Sequence, residues 1–375
     1  MKVSDEMNMS PLDDSNALRS VDKSNMLSYC LAAARHYRES ENNSQKISIA
    51  YPKPDKMIVA GMGGSAIGGE LLKDWARDKT PIPIEVSRDY NLPAYADRKT
   101  LVVIASYSGE TEESLGSFLD ALRRKCMIYC VGSGGSLLDF AEKLSVPFLS
   151  VPTGMPPRAA LPYMFVPLLK ILEKMKLASH VSDDLSESAG LLDIVSKENS
   201  HESIGKNNIS KTLAVKIGSS APVIYGSGVF RGVAQRFKQQ FNENSKVPAK
   251  WEYFSELNHN EIVGWEEAGT LAQSFYAILI RDKAEPDEIR ARIEATKNLM
   301  PAELGKFEVW SRGKSQLARM LSTILVGDFA SVYLAVLRGV DPTPVKTIAL
   351  LKEKMKQSGT KEKVIRELEK LAASR

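Results

Sequence analysis

The sequence predicts an α/β protein of two doubly wound domains, each a parallel sheet flanked by helices. Three observations lead there. Short apolar runs alternate with helix-like segments of roughly 10–15 residues, the pattern of βαβ units. A strand, a glycine turn and a helix occur in succession twice, at Met57–Arg77 and at Pro222–Gln240. The length, 375 residues, exceeds one ordinary domain and suits two.

Residues 14–40 read as an amphipathic helix packed against the first domain. Met57–Ala60 is a strand, Gly61-Met62-Gly63-Gly64-Ser65 a turn, and the helix runs to about Arg77. A second strand follows at Ile82–Ser87, a third at Leu101–Ala105 and a fourth at Met127–Val131, with a helix over Glu112–Lys125. Pro152, Pro156, Pro157 and Pro162 lead into a helix at Met164–Lys174. The second copy has Pro222–Tyr225, the turn Gly226-Ser227-Gly228, then strands at Lys250–Phe254, Leu271–Ile280 and Phe307–Trp310, with a helix over Asp287–Asn298. The Lys-, Glu- and Leu-rich end reads as a single helix starting soon after Pro342 and Pro344. The expected division is therefore an N-terminal helical segment (1–44), a first domain (45–175), a linker helix (176–210), a second domain (211–345) and a C-terminal helix (346–375).

With 43% hydrophobic and 26% charged residues, the chain can bury a full core without staples. A net charge of +4 suits small anionic ligands and is poor support for a nucleic-acid partner. Three cysteines, Cys30, Cys126 and Cys130, are too few and too odd for a disulfide scaffold and fit a reducing compartment. Cys126 and Cys130 read as core thiols on one side of a strand, with no further ligand near them in sequence for a metal. The opening residues are polar, without a signal-peptide core. The most membrane-like stretch, Leu321–Leu337, is interrupted by Gly327 and Asp328 and reads as a buried helix. The expectation is a cytoplasmic protein with neither membrane nor nucleic acid as partner.

Two segments carry chemistry. The turn Gly61–Ala66 opens a helix, where free N–H groups can meet an anion. It also fits the dinucleotide pattern G-x-G-x-x-A, with Glu85 ending the next strand, and it fits equally a tight turn that needs glycine for packing. The second segment, Ser106-Tyr107-Ser108-Gly109-Glu110-Thr111, puts three hydroxyls and a glycine at a strand's end. Hydroxyls and backbone N–H groups can surround a phosphate without a lysine. They also make good helix caps, so both readings stand. Glu110, Glu112 and Glu113 must turn away if a phosphate binds here.

A glycine turn ending in Gly-Gly-Ser, followed about 40 residues later by S-x-S-G-x-T, resembles the sugar isomerase (SIS) domain. Two copies, with Pro156–Ala160, Asn242–Lys246, Asn258–Glu261 and Gly339–Lys346 in this order, resemble the bifunctional phosphoglucose/phosphomannose isomerases. Glu110 departs from the asparagine many SIS loops carry.

The resemblance implies an aldose–ketose isomerase that interconverts fructose 6-phosphate with glucose 6-phosphate and mannose 6-phosphate through a cis-enediolate. It implies phosphate binding by Gly64, Ser65, Ser106, Ser108 and Thr111, with Glu243 as base. A carboxylate can do this work once its surroundings lift its proton affinity. Arg158 would stabilise the enediolate, since a guanidinium stays charged throughout. His259 and Lys346 would open the sugar ring, His259 crossing from the neighbouring subunit of a homodimer. Taken singly, Glu243 reads more often as a solvated surface group and His259 as an exposed loop residue, Arg158 reads also as a surface or salt-bridged arginine after a Pro-Pro turn, and Lys346 as a solvated charge. No cofactor or metal is called for, because Arg158 and Lys346 fill the cationic roles. The rival readings are an NAD-dependent dehydrogenase and a non-catalytic sugar-phosphate sensor. A sensor would normally carry a DNA-binding segment, and the residues before the first domain show no basic helix-turn-helix pattern.

Overall fold

The computed structural model describes residues 11–203 and 207–374. The polar opening Met1–Ser10, read above as lacking a leader, lies outside the described residues.

Three helices come first, α1 (Ser15–Val21), α2 (Met26–Leu31) and α3 (Ala33–Ser44). Then follow β1 (Lys56–Gly61), α4 (Gly63–Ala76), β2 (Ile84–Ser87), β3 (Thr100–Ala105) and α5 (Glu112–Arg123). Next are β4 (Met127–Gly132), α6 (Gly135–Lys143), β5 (Phe148–Ser150), α7 (Leu161–Lys174), α8 (Val181–Glu198) and α9 (Ile209–Ile217). The second copy supplies β6 (Ala221–Ser227), α10 (Arg231–Asn244), β7 (Lys250–Phe254), β8 (Phe275–Arg281), α11 (Asp287–Leu299) and β9 (Gly305–Trp310). Three helices close the order, α12 (Gln316–Leu337), α13 (Lys346–Lys356) and α14 (Thr360–Ala373).

The chain divides into two compact units. The β1–β5 unit comprises Arg35–Ala189, Ser315–Ala318 and Val345–Arg375. The β6–β9 unit comprises the described residues up to Ala34, then Gly190–Lys314 and Arg319–Pro344.

In the β1–β5 unit a five-stranded parallel sheet has the order β2-β1-β3-β4-β5. Its central strands are buried on both faces, which is why they read as unbroken apolar runs. Ile58, Ala60, Val102, Ile104, Ile128 and Cys130 pack with Leu115 and Phe118 of α5, Leu137 and Phe140 of α6 and Leu368 of α14. Val59, on the opposite face, meets α4 at Gly69. Each fully buried Val, Ile, Leu or Phe side chain among these contributes about 1.5–3 kcal/mol. His36 is buried here against the Tyr163 hydroxyl, 3.0 Å from its Nδ1, while Tyr163 donates to Glu39 at 2.6 Å. Burial pushes the His36 pKa down, and nearby Glu39 only partly offsets it.

In the β6–β9 unit a four-stranded parallel sheet has the order β7-β6-β8-β9. The helix α12 is long and apolar enough to cross a membrane, and it is mostly buried in the fold. Its Asp328 takes two hydrogen bonds from the buried Arg236 of α10, at 3.2 and 3.1 Å. Burial nevertheless holds the Asp328 pKa above the usual carboxylate range, outweighing Arg236 and Gln240. Asp328, which the sequence marks as an interruption, is thus one half of an interhelical ion pair.

Three readings are corrected. The expected single helix over 14–40 is three helices, and the described residues up to Ala34 belong to the β6–β9 unit. The break comes where Asp22 turns its carboxylate back to accept the N–H groups of Met26 and Leu27, at 2.7 and 2.8 Å. The strand expected over Leu271–Ile280 starts only at Phe275, because Gly269–Ser274 coils into a 3-10 turn that buries Ala272. The expected C-terminal helix is two, α13 and α14, separated where the Ser358 hydroxyl accepts the N–H of Thr360 at 3.2 Å. The stretch read as a linker does contain a helix, α8.

Asp328→Ala removes the carboxylate facing a buried guanidinium and lowers unfolding free energy by about 3–5 kcal/mol in urea titration. Parent-like stability would show that the pair is dispensable. His36 binds its proton less readily folded than unfolded, so the unfolded chain takes up protons first. Stability therefore falls as pH drops through about 6.5. Melting temperatures between pH 7.5 and 5.5 decline less steeply in His36→Gln, and an unchanged slope would assign the decline to other groups.

Candidate active site

Both sheet orders reverse once. The strands β1 and β3 lie side by side, yet their following helices lead to opposite edges of the sheet. This is a topological switch point, where ligands of open parallel sheets bind beyond the strands' carboxyl ends. Gly61 pairs with Ala105 in the register of β1 and β3, so the glycine turn and the hydroxyl loop leave the sheet as neighbours.

The two segments interlock. Tyr107 donates its backbone N–H to the hydroxyl of buried Ser65 at 3.1 Å. The buried Ser106 hydroxyl donates to Thr111 Oγ1 at 3.1 Å. Thr111 is the N-cap of α5, but its side chain makes no capping bond, and the N-cap of α4 is Met62. The hydroxyls are therefore not spent on capping, which favours an anion at these helix starts over a plain capping role. Ser108 is exposed and accepts the N–H of Glu110 at 3.2 Å. Gly109 has φ +67°, and a Cβ there would run into the carbonyl oxygen of Gly134, so only glycine fits.

Arg158 joins this cluster through the backbone. A Cβ at Gly64 would come 2.8 Å from the carbonyl oxygen of Pro157 and 3.2 Å from the N of Arg158. Arg158 is 2% exposed. The hydroxyl of Tyr107 pins the approach, donating to the Pro152 carbonyl at 2.9 Å and accepting the Met155 N–H at 3.0 Å. In the sequence Tyr107 fills a variable place in the motif, which carries no sign of this role.

The acidic residues of the loop are engaged elsewhere. Glu110 accepts the N–H of Ser136 at 2.7 Å and pairs with Lys361 of α14. Burial alone would raise its pKa, but Lys361 and Ser136 win and hold it below the usual carboxylate range. Glu112 takes the Tyr90 hydroxyl. Glu85, the candidate ribose acid, takes the Tyr95 hydroxyl.

Gly64, Ser65, Ser106, Ser108, Thr111 and Arg158 thus share one unit, and Lys346, exposed at the first position of α13, belongs to the same unit. Glu243 and His259 belong to the β6–β9 unit. Glu243 is half-buried in the last turn of α10. The end of that helix is fastened to α12, with Asn244 donating to the Ser331 hydroxyl at 2.9 Å and Ser245 to the Ser331 carbonyl at 2.6 Å. His259 is exposed at the end of a 3-10 turn, Glu256–His259. Its neighbours fix that loop: Asn258 donates to Thr296 at 2.7 Å and Asn260 to Glu256 at 2.7 Å.

The second sheet has a switch point too, between β6 and β8. Where β3 opens into hydroxyls, β8 ends in Arg281, tied to Glu285 at 2.6 Å, to Glu294 at 2.7 Å and to Glu308. Ion pairs stand there in place of a hydroxyl loop, so the duplication is one of fold rather than of site.

Gly109→Ala tests the loop. It strains the backbone and displaces the hydroxyls, so protection of the protein against thermal melting by fructose 6-phosphate is lost. Full protection in this variant would show that the ligand does not use the loop.

A family described as bacterial phospho-glucose isomerase C-terminal SIS domain matches residues 206–355. A bifunctional phosphoglucose/phosphomannose isomerase from Caldicellulosiruptor bescii is 43% identical over 303 residues, spanning 80% of this chain and 89% of the relative. A D-glucosamine-6-phosphate 4-epimerase from Sulfolobus acidocaldarius is 31% identical over 302 residues, spanning 80% of this chain and 89% of the relative. Among solved structures, a glucose-6-phosphate isomerase from Chlamydia trachomatis has a TM-score of 0.66 at 14% identity, covering 86% of this chain and 73% of that one, a likeness of fold. With a paired glycine turn and hydroxyl loop at a switch point, and with these relatives, the chain belongs to the bifunctional phosphoglucose/phosphomannose isomerase family of SIS-domain proteins.

Proposed function

We propose that this chain is an aldose–ketose isomerase that interconverts fructose 6-phosphate with glucose 6-phosphate and mannose 6-phosphate. The observation that carries the reading is the uncapped hydroxyl cluster of Ser65, Ser106 and Thr111 beside the turn that bears Arg158, in a chain 43% identical to an enzyme of that name.

In this reading the first SIS domain, 45–175, holds the phosphate through Ser65, Ser106, Ser108 and Thr111, with Gly64 leaving room for the backbone to approach. Glu243, from the second domain at 211–345, removes the proton from C2 of the aldose or C1 of the ketose. The electron pair moves onto the carbonyl oxygen and gives a cis-enediolate. Arg158 faces that oxygen with a fixed positive charge, worth most where water is excluded. The hydroxyl proton of the neighbouring oxygen passes to the oxygen that took the charge, and Glu243 then returns its proton to the other carbon as that neighbouring oxygen becomes the carbonyl. His259 of the partner subunit and Lys346 move protons between the ring oxygen and the anomeric hydroxyl (O1 of the aldose, O2 of the ketose) to open the sugar, which makes the working form a homodimer. The enediolate has lost its C2 configuration, so return of the proton to one face gives the glucose epimer and to the other the mannose epimer. The reaction takes place in the cytoplasm and calls on the chain's own cations rather than a metal.

Purified protein supplied with fructose 6-phosphate in EDTA yields both glucose 6-phosphate and mannose 6-phosphate. Glucose 6-phosphate alone removes the second activity. Binding without product favours a sensor, and a product altered at C4 would align the chain with its epimerase relative. Glu243→Gln lowers turnover by a factor on the order of 10²–10⁴. Near-parent turnover in that variant would show that another group is the base.

A further inference from the structure

The last turn of α10, which carries Glu243, ends in an unusual way. The helix stops at Asn244, Ser245 is its C-cap, and Lys246 follows with φ +54°. That left-handed position after a helix is the one glycine fills most readily, because a side chain there crowds the backbone. Lys246 occupies it and folds its ammonium back. Nζ donates to the carbonyl of Glu243, to the carbonyl of Asn244 at 3.4 Å and to the carbonyl of Pro342 at 2.8 Å.

Each contact has a reason. The last carbonyls of a helix lack intrahelical donors and carry the negative end of its dipole, so a cation is favoured there. Pro342 lies outside the helix, in the segment that runs on in sequence to Lys346. An ammonium can donate three hydrogen bonds, and here it spans the main chain of Glu243 and that of Pro342. Asn244 and Ser245 fasten the same turn to Ser331 of α12. Three successive residues after Glu243 thus use their side chains to fix its backbone.

We infer that Lys246 is a positioning residue for the isomerisation: its ammonium locks the backbone of Glu243 to the segment leading into Lys346, and so sets the aim of the base. The inference rests on the proposed role of Glu243. A base misplaced by a fraction of a hydrogen-bond length transfers protons poorly while the phosphate still binds, so the effect falls on kcat and leaves KM.

Lys246→Met, Lys246→Gly and Lys246→Arg are assayed with fructose 6-phosphate beside the parent and Glu243→Gln. The expected result is a kcat lower by a factor on the order of 10–10² in Lys246→Met, with KM within about twofold, and recovery of most of that loss in Lys246→Arg. Lys246→Gly suits the left-handed backbone, so it separates the ammonium's role from stability. It is expected to melt no lower than Lys246→Met and yet to lose kcat equally. Parent-like kcat in Lys246→Gly overturns the inference, as does a loss in Lys246→Arg as deep as in Lys246→Met. If Glu243→Gln is inactive while Lys246→Gly is unimpaired, only this inference falls. If Glu243→Gln turns over normally, the assignment of the base falls first.

Discussion

The parallel pairing of β1 with β3 is the constraint on which the rest depends. It sets the ends of two buried strands next to each other at the point where the sheet order reverses. Two helices must then start side by side, and their first N–H groups have no intrahelical acceptors. Sequence at that place decides what the free donors meet. Here neither helix start is closed by its own side chain, and Ser65, Ser106 and Thr111 are linked to each other or to the loop backbone instead. The carboxylates that would repel an anion are drawn off, Glu110 by Ser136 and Lys361 and Glu112 by Tyr90. Such an arrangement favours a compact dianion held by dipoles and hydroxyls.

The second unit repeats the topology with different chemistry. Its switch point is closed by Arg281 among three glutamates, an ion-pair knot that also stacks over Trp310 at 4.7 Å. Its contribution is the helix α10, braced on α12 by Arg236, Asn244 and Ser245. Buried polar contacts to a neighbouring helix fix the backbone at the end of α10.

Much of the fold was legible in the sequence because parallel strands buried on both faces leave an unmistakable trace. Met57–Ala60, Leu101–Ala105 and Met127–Val131 are unbroken apolar runs, each stopped by a glycine or serine, and all three form strands. Where a boundary depends on a side chain folding back, the trace fails. Asp22 breaks the N-terminal helix by capping α2, and the same residue would sit comfortably on a helix surface. Leu271 looks like strand and stands exposed in a 3-10 turn. In the site, the hydroxyl loop was legible as a motif. The role of Tyr107 was not, since its partners Pro152 and Met155 lie more than forty residues away. Lys246 was equally hidden: nothing in the run Asn242–Lys246 shows that a lysine has taken a glycine's backbone position.

In the proposed reaction a proton, rather than a hydride, moves between C1 and C2 through an enediolate. Turnover of fructose 6-phosphate in D₂O, with the aldose products examined by proton NMR, tests it most directly. Deuterium is expected at C2 of both glucose 6-phosphate and mannose 6-phosphate, because the protonated base exchanges with solvent before it returns its proton. Products formed at full rate with no deuterium at C2 of either epimer would contradict it.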